Sequence, residues 1–183
     1  MPRPPRAFVE GIYHFSSHGS DTRGLFLSDG DRATFLARLA VILERFELRL
    51  VAYTLLGNHY HLVLVIPDER VSKAFQQLHT CYSRWHNLIH GRSAHLFCAH
   101  FFARELTNDA DLLTVCRYLA YNPVLAGLSR DPFGWRWSST AATAGLARPM
   151  LALAPGPLRA AFGDTADWSS RYRVFIEDWT NPA

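Results

Sequence analysis

Hydrophobic and polar residues follow regular patterns in the first half of the chain, and these patterns predict its secondary structure. Residues 8–17 (FVEGIYHFSS) are rich in β-branched and aromatic side chains, which is typical of a strand, and residues 18–21 then break it. Ser28 and Asp31 resemble a helix-capping pair, so we expect a helix over residues 29–46. Its apolar positions at helical spacing are Phe35, Leu39, Ile42, Leu43 and Phe46.

Two β-rich runs follow at residues 50–56 and 59–66, separated by the turn signal Gly57-Asn58, and they predict a hairpin. Residues 72–90 again carry apolar side chains at helical spacing. The aromatic segment 96–106 is expected to be a strand. A further helix should begin at residue 108 or 109 and end near residue 122, because a proline follows.

The order strand, helix, strand, strand, helix, strand, helix predicts an α+β fold. The natural arrangement is a ferredoxin-like, split βαβ antiparallel sheet with its helices packed on one face. We expect residues 1–130 to form this domain. Residues 131–183 show weak periodicity and many Pro, Gly and Ala residues. They should form a C-terminal extension with one or two short helices, within the same compact unit.

Composition adds limits on environment. The chain has 183 residues, 49% of them hydrophobic, which is enough to bury a core without disulfide bonds. No apolar run approaches the ~20 residues of a membrane helix, so we expect no membrane association. Cys81, Cys98 and Cys116 lack CxxC spacing, which predicts reduced thiols and a cytoplasmic protein.

The formal net charge is +3, and the excess of positive charge lies within residues 1–130. All basic residues except Lys73 are arginines. Arginine suits contacts with phosphates and base edges, although a GC-rich coding sequence explains the preference equally well. The charge therefore permits nucleic-acid binding without requiring it.

A pair of histidines lies at the start of the predicted strand 59–66. Side chains alternate faces along a strand, so His59 and His61 point the same way, roughly 6.5–7 Å apart at the backbone, and can converge on one divalent cation. Tyr60 points to the opposite face. Because the rest of the strand is apolar on both faces, the strand should be central. Two hydrogen-bonded structural histidines remain the alternative.

The predicted helix from residue 109 carries a polar stripe formed by Asp111, Thr114, Tyr118 and Asn122. A tyrosine whose hydroxyl lies outside the core is available as a nucleophile. An amide oxygen one turn later can bind magnesium or manganese. A tyrosine at the edge of the core and an asparagine at a helix end are the alternatives.

Three motifs in this order resemble a known family. They are GNHYHLVL at residues 57–64, RYLAYNPVLAG at residues 117–127 and WRWSS at residues 135–139. Together they look like the HUH tyrosine transposases, in the branch called REP-associated tyrosine transposases. The resemblance covers about residues 6–145, and the ordered set is much more specific than any single motif.

The resemblance implies an HUH nuclease fold and assigns roles to four residues. His59 and His61 match the metal-binding histidines, Tyr118 matches the nucleophile, and Asn122 matches the polar residue that completes the metal site. It implies Mg²⁺ or Mn²⁺ as cofactor and a 5′-phosphotyrosine intermediate, by which the enzyme cuts and rejoins DNA. The expected partner is single-stranded or hairpin DNA. The protein is expected to be a monomer or a homodimer, and to associate with the nucleoid when it binds DNA.

Several positions depart from the family pattern. Relatives commonly carry Gly-Arg where this chain has Ala99-His100, and often Arg where Leu125 stands. Both changes remove an arginine that could contact phosphate, so they weigh against DNA affinity more than against cleavage. They favour an alternative function, a domesticated protein that binds DNA hairpins without cleaving them. A zinc-dependent hydrolase of small molecules is a third hypothesis, but no carboxylate base is evident near the histidine pair.

The sequence contains further residues that can contact DNA or bind a metal. Arginines expected near the cleft, where they can contact phosphates, are Arg84, Arg92 and Arg104. Aromatic residues that can stack on bases or, more commonly, pack in the core are Phe101, Phe102, Trp135 and Trp137. The spacing of His86, His90, His95 and His100 is too loose to predict a zinc site, since no cysteine lies at ligand spacing. His14 is expected to be a hydrogen-bonded sheet residue.

Overall fold

A computed structural model describes residues 7–20, 24–98 and 100–179. The strands are β1 (Gly11–His18), β2 (Arg49–Leu55), β3 (His59–Ile66) and β4 (Phe102–Glu105). The long helices are α1 (Asp29–Arg45), α2 (Val71–Ile89) and α3 (Asp109–Leu125). Three short helices follow, α4 (Thr140–Thr143), α5 (Gly156–Ala161) and α6 (Trp168–Glu177), where one or two were expected.

The four strands form one sheet in the order β2-β3-β1-β4, and every neighbouring pair is antiparallel. This is the ferredoxin-like arrangement, so the predicted α+β fold with an antiparallel sheet is confirmed. β3 lies between β2 and β1, as expected for a strand with apolar side chains on both faces. The predicted capping pair is also present: Ser28 and Asp31 form a capping box at the start of α1.

Helices lie on both faces of the sheet, whereas the sequence led us to expect them on one. Phe15, Leu62 and Leu64 pack in the cluster that α1 and α2 cover. On the other face, Val63 packs in a second cluster with residues of α3, including Leu119. The reason is the alternation along β3, where successive apolar side chains point to opposite faces and both faces need cover.

The helix α3 continues past the position where the proline was expected to end it. Pro123 lies inside the helix, which extends to Leu125. Pro123 has no N–H to donate to the carbonyl four residues earlier, so the helix loses one backbone hydrogen bond near its end, and only two helical residues follow. Gly127, with φ +69, then reverses the chain, and the Pro123 carbonyl accepts the Leu128 N–H at 2.8 Å.

The C-terminal segment packs against the sheet and α3. Tyr172 and Ile176 of α6 are buried in the same cluster as Leu119. These contacts are those expected of an extension that belongs to the same compact unit, but the boundary at residue 130 stays a prediction. No helix in the described part of the chain is long and apolar enough to cross a membrane.

The outer edge of β2 is covered by this C-terminal segment. Leu55 donates its N–H to the Trp137 carbonyl at 2.9 Å, and Tyr53 accepts from the Ser139 N–H at 3.0 Å. Further along the strand, the Leu50 carbonyl accepts from the N–H of residue 154 at 2.7 Å. The backbone groups that point away from the sheet at these positions of β2 are therefore hydrogen-bonded within the chain.

Candidate functional site

A row of four histidines crosses the sheet on the face that α3 covers. His14 and His18 come from β1, and His59 and His61 come from β3. His18 lies directly opposite His59, and their rings stack with centroids 4.6 Å apart. The rings of His59 and His61 lie 5.1 Å apart and perpendicular to each other. His18 was missed in the sequence because it stands beside a glycine, where the strand was expected to have ended.

His61 is held by a hydrogen bond to His14. His14 Nε2 and His61 Nδ1 lie 3.0 Å apart in a buried position. Burial, and secondarily the neighbouring His14, His59 and His18, lowers the pKa of His61 to about 2. Burial, and secondarily Arg104, lowers the pKa of His14 to about 4. Both rings are therefore neutral at pH 7, and each has one nitrogen that can accept a hydrogen bond or bind a metal.

Asn122 reaches this row from the last turns of α3. It is 8% exposed, and its side chain hydrogen-bonds to His59. Burial and then His18 lower the pKa of His59, and the bond to Asn122 opposes them. Two polar atoms here are buried without a hydrogen-bond partner among the described residues, His61 Nε2 and Asn122 Nδ2. Such atoms are costly unless a ligand or water satisfies them.

Tyr118 lies one turn before Asn122 and covers the histidine row. Its ring meets the His61 ring edge-on at 5.3 Å and the His14 ring at 6.4 Å. The residue is 46% exposed, so a ligand in solution can reach it. Two distant parts of the sequence, the strand with the histidine pair and the helix with the tyrosine, thus meet at one place.

Two other tyrosines, Tyr121 on the same helix and Tyr82 on α2, are engaged elsewhere. The Tyr121 hydroxyl donates to the Ile176 carbonyl at 2.9 Å, and its ring packs on Trp179. The Tyr82 hydroxyl is buried on the other side of the sheet and donates to the Leu25 carbonyl at 3.0 Å. Of these three tyrosines, Tyr118 alone lies against the histidine row.

One of the three predicted arginines lies beside the row. Arg104 of β4 is directly opposite His14 and forms an ion pair with Asp111 at 2.7 Å. Its neighbour on the strand, Phe102, is 50% exposed and meets the His14 ring at 5.8 Å. An exposed aromatic ring and a guanidinium group so placed are suited to a base and a phosphate.

The remaining candidates lie away from Tyr118. Arg84 is exposed on α2, where it lines a groove of about 560 Å³ with Asn87 and His95. This helix packs on the opposite face of the sheet from His61. Arg92 is partly buried and donates to the Gly24 carbonyl at 3.3 Å. The structure therefore divides the three arginines between two sides of the molecule.

Most of the candidate stacking residues are in the core. Trp137 is buried and donates its indole N–H to Asp29 at 2.8 Å, and Trp135 donates to the Leu55 carbonyl at 2.8 Å. Phe101 packs against Phe75. Of the positions that depart from the family pattern, Leu125 is 62% exposed at the end of α3, while Ala99 lies outside the described residues.

Comparisons with known proteins identify the family and the fold. The family model described as IS200-like transposase matches residues 10–122, which include the histidine pair, Tyr118 and Asn122. Among solved structures, the fold is similar to that of a REP-associated tyrosine transposase bound to a REP hairpin. That match has a TM-score of 0.67 and 16% identity, and it covers 85% of this chain and 93% of the other. A search of curated proteins found no match. Because the family model spans more than half of the sequence, the chain belongs to the IS200-like transposase family.

Proposed function

We propose that this protein is a metal-dependent single-strand DNA transposase, an endonuclease that uses Tyr118 to cut and rejoin DNA. The observation that carries the proposal is the half-exposed Tyr118 ring packed against buried, neutral His61. A nucleophile needs access to its substrate, and it needs an electrophile held next to it. The two residues supply these requirements from different elements of the fold.

The histidine row fits a divalent cation. His59 and His61 would bind it through imidazole nitrogens, with the Asn122 side chain as a third ligand. The unpartnered His61 Nε2 supports this assignment, because a buried nitrogen is otherwise costly to leave without a partner. Asn122 bonds to His59 in this structure, so its amide would have to change partner. When bound, Mg²⁺ or Mn²⁺ would polarise the scissile phosphate and stabilise charge on it.

His14 would act as a positioning residue. Its bond to Nδ1 of His61 sets which nitrogen carries the proton: when Nδ1 donates, Nε2 keeps its lone pair. Hydrogen bonds of this kind orient metal-binding histidines. His14 therefore prepares His61 to bind a metal without itself touching DNA.

The proposed reaction is a transesterification. The Tyr118 oxygen attacks phosphorus and loses its proton, and the bond between phosphorus and the 3′-oxygen breaks. The products are a 5′-phosphotyrosine and a 3′-hydroxyl, which takes up a proton. A phenolate leaves more readily than an alkoxide, so a 3′-hydroxyl can reverse the step and rejoin DNA without ATP.

We propose a DNA hairpin with a single-stranded flank as the substrate, since the similar solved structure is bound to a REP hairpin. Arg104 and Phe102 beside His14 would contact the flank near the cut. Arg84, on the far side of the sheet, would contact DNA only if the hairpin reaches around to α2. We further propose that the protein acts in the cytoplasm, where its DNA substrate would be found. The state of the protein, monomer or homodimer, stays a prediction.

The test is a cleavage assay with labelled hairpin DNA in Mn²⁺ or Mg²⁺, read on denaturing gels. We expect a covalent protein–DNA adduct that disappears in Tyr118→Phe and when the metal is chelated. Tyr121→Phe, three residues along the same helix, is the matched control and should keep the adduct. An adduct that survives in Tyr118→Phe would contradict the assignment of the nucleophile.

The same assay separates the alternative, a hairpin-binding protein without cleavage activity. The exposed Leu125, at a position where relatives often carry arginine, favours it. Tight binding of the hairpin by the wild-type protein, with no adduct in either metal, would support this alternative. The intact set of Tyr118, His59 and His61 supports the nuclease.

A further inference from the structure

Three potential metal ligands meet on the other side of the sheet, between α1 and α2. They are Asp31 in the first turn of α1, and His86 and His90 at the end of α2. One ligand atom from each residue lies within 4.8 Å of those of the other two. We propose that Asp31, His86 and His90 form a site for Zn²⁺ or a similar transition-metal ion, separate from the histidine row. The histidine spacing alone did not predict this site, because the third ligand, the Asp31 carboxylate, comes from a helix more than 50 residues earlier.

The residue types suit zinc. Two imidazoles and one carboxylate are a ligand set found in zinc sites that leave a fourth position to water. His86 and His90 are four residues apart on one helix, so both rings lie on the same side, and their centroids are 4.3 Å apart. Side chains with this spacing on a helix can bind one ion together.

Asp31 is oriented before any ion arrives. Its Oδ2 accepts the N–H groups of Leu27 at 2.7 Å and Ser28 at 2.8 Å, as part of the capping box. This leaves Oδ1, which lies 2.8 Å from His90 Nε2. Burial raises the pKa of Asp31, but the hydrogen bonds from His90, Ser28 and Leu27 outweigh it and lower the pKa overall. The carboxylate is therefore ionised and fixed in place.

The separations of the three ligand atoms can be compared with those of a zinc site. Ligand atoms in a tetrahedral zinc site lie roughly 3.3 Å apart, given bonds of about 2.0 Å. The pair formed by Asp31 and His90 is slightly closer than this, at 2.8 Å, and all three ligand atoms lie within 4.8 Å of one another. His90 would place its proton on Nδ1, which frees Nε2 for the ion. The His90 side chain is 22% exposed, which gives an ion access, whereas His86 is fully buried.

An ion bound here would connect the start of α1 to the end of α2. These two helices form the layer that covers the sheet face opposite Tyr118. The site would therefore stabilise the fold without taking part in DNA cleavage. In its absence, the bond between His90 and Asp31 makes the same connection more weakly.

The test uses the full chain with His59→Ala and His61→Ala, which removes the strongest competing ligands. We expect this double variant, prepared without metal, to bind one equivalent of Zn²⁺ and to unfold at a higher temperature when Zn²⁺ is present. With Co²⁺ in place of Zn²⁺, it should show the d–d absorption of a tetrahedral site. In the same background, His90→Gln should weaken Zn²⁺ binding by more than about 100-fold and remove the thermal shift. His90→Cys, which restores a zinc ligand, should recover binding.

The glutamine in His90→Gln can still hydrogen-bond Asp31. The unfolding temperature of this variant in a chelator, compared with that of the background protein, therefore shows whether the fold is intact. No Zn²⁺ binding in the background protein, or equal binding in His90→Gln, would overturn the proposal and leave an ion pair between two helices. The readouts involve no DNA, so failure here is distinguishable from failure of the proposed nuclease activity.

Discussion

His14 makes a contact that tests the proposed metal site at the scale of one residue. Its Nε2 lies 3.0 Å from Nδ1 of His61, on the nitrogen away from the proposed ion. We expect His14→Phe, which keeps a ring but loses the hydrogen bond, to weaken Mn²⁺ binding by about 10–100-fold. The measurement is Mn²⁺ titration followed by electron paramagnetic resonance or calorimetry.

His14→Gln is the matched variant, since its amide can still bond to His61. It should retain more of the affinity than His14→Phe does. Equal Mn²⁺ affinity in the wild type and His14→Phe would show that the bond does not orient a metal ligand.

His79 should make the stability of the protein sensitive to acid. Its Nε2 lies 2.6 Å from the Tyr60 hydroxyl, and burial lowers its pKa to about 4 from 6.5. The unfolded chain therefore takes up a proton at a higher pH than the folded chain does. Neutral His79 therefore makes its full contribution to the free energy of unfolding above pH 6.5. This contribution, at most about 3 kcal/mol, is lost as the pH falls toward 4.

Urea unfolding between pH 7 and pH 4 measures this loss. The free energy of unfolding of His79→Gln should fall less steeply with pH than that of the wild type, even if the variant is less stable overall. His95→Gln, at an exposed position, should keep the wild-type slope. Identical slopes for the wild type and His79→Gln would rule out the buried neutral histidine as a cause.

At the scale of one element, a side-chain cap stabilises the start of α3, the helix that carries Tyr118. Asn108 caps this helix, and its side-chain oxygen accepts the Asp111 N–H at 2.9 Å. We expect Asn108→Ala to lower the free energy of unfolding by about 1 kcal/mol, because one backbone donor loses its partner. Asn108→Asp, which keeps an acceptor, should stay within a few tenths of a kcal/mol of the wild type. Chemical denaturation measures the free energy of unfolding of both variants. An equal decrease in the two would contradict the capping role of Asn108.

Local patterns predicted the elements well, and they did so for a physical reason. The hairpin β2-β3 and the helices α1 and α2 follow from alternation and helical spacing, which report directly which side of an element is buried. The end of α3 could not be predicted in this way, since a single proline near a helix end costs little once packing of the helix compensates for it. Both faces of β3 are apolar, which in retrospect indicates helices on both faces.

Contacts between elements were less accessible from the sequence. The pair His59 and His61 was found because its two members are neighbours along one strand. The hydrogen bond from His14 and the stacking of His18 depend on the register between β1 and β3, which no local pattern specifies. Arg84 and Arg104 were grouped as one candidate surface, yet they lie on opposite sides of the sheet. The side on which a surface arginine lies depends on the packing of the whole element.

At the scale of the whole molecule, we expect the C-terminal extension to unfold together with the sheet. Ile176 of α6 is fully buried in the cluster that also holds α3. Ile176→Ala should lower the free energy of unfolding by about 3 kcal/mol, within a single transition seen by both circular dichroism and fluorescence. Val174→Ala, at a position 53% exposed on the same helix, should change it by less than about 0.5 kcal/mol. A separate early transition in Ile176→Ala would show that the extension is an independent unit.

The two edge strands of the sheet, β2 and β4, differ in whether their outward backbone groups are already hydrogen-bonded. This difference limits how the protein can associate with other chains. Along β2, the chain's own tail already occupies the hydrogen-bonding groups that face outward. β4 is a border strand of four residues that pairs with β1 on its inner side. A foreign strand that docked by main-chain pairing would therefore have to join at β4, beside Phe102 and Arg104. Strand exchange or aggregation by this route would compete for the place at which we propose that DNA binds, and a bound oligonucleotide should then suppress it.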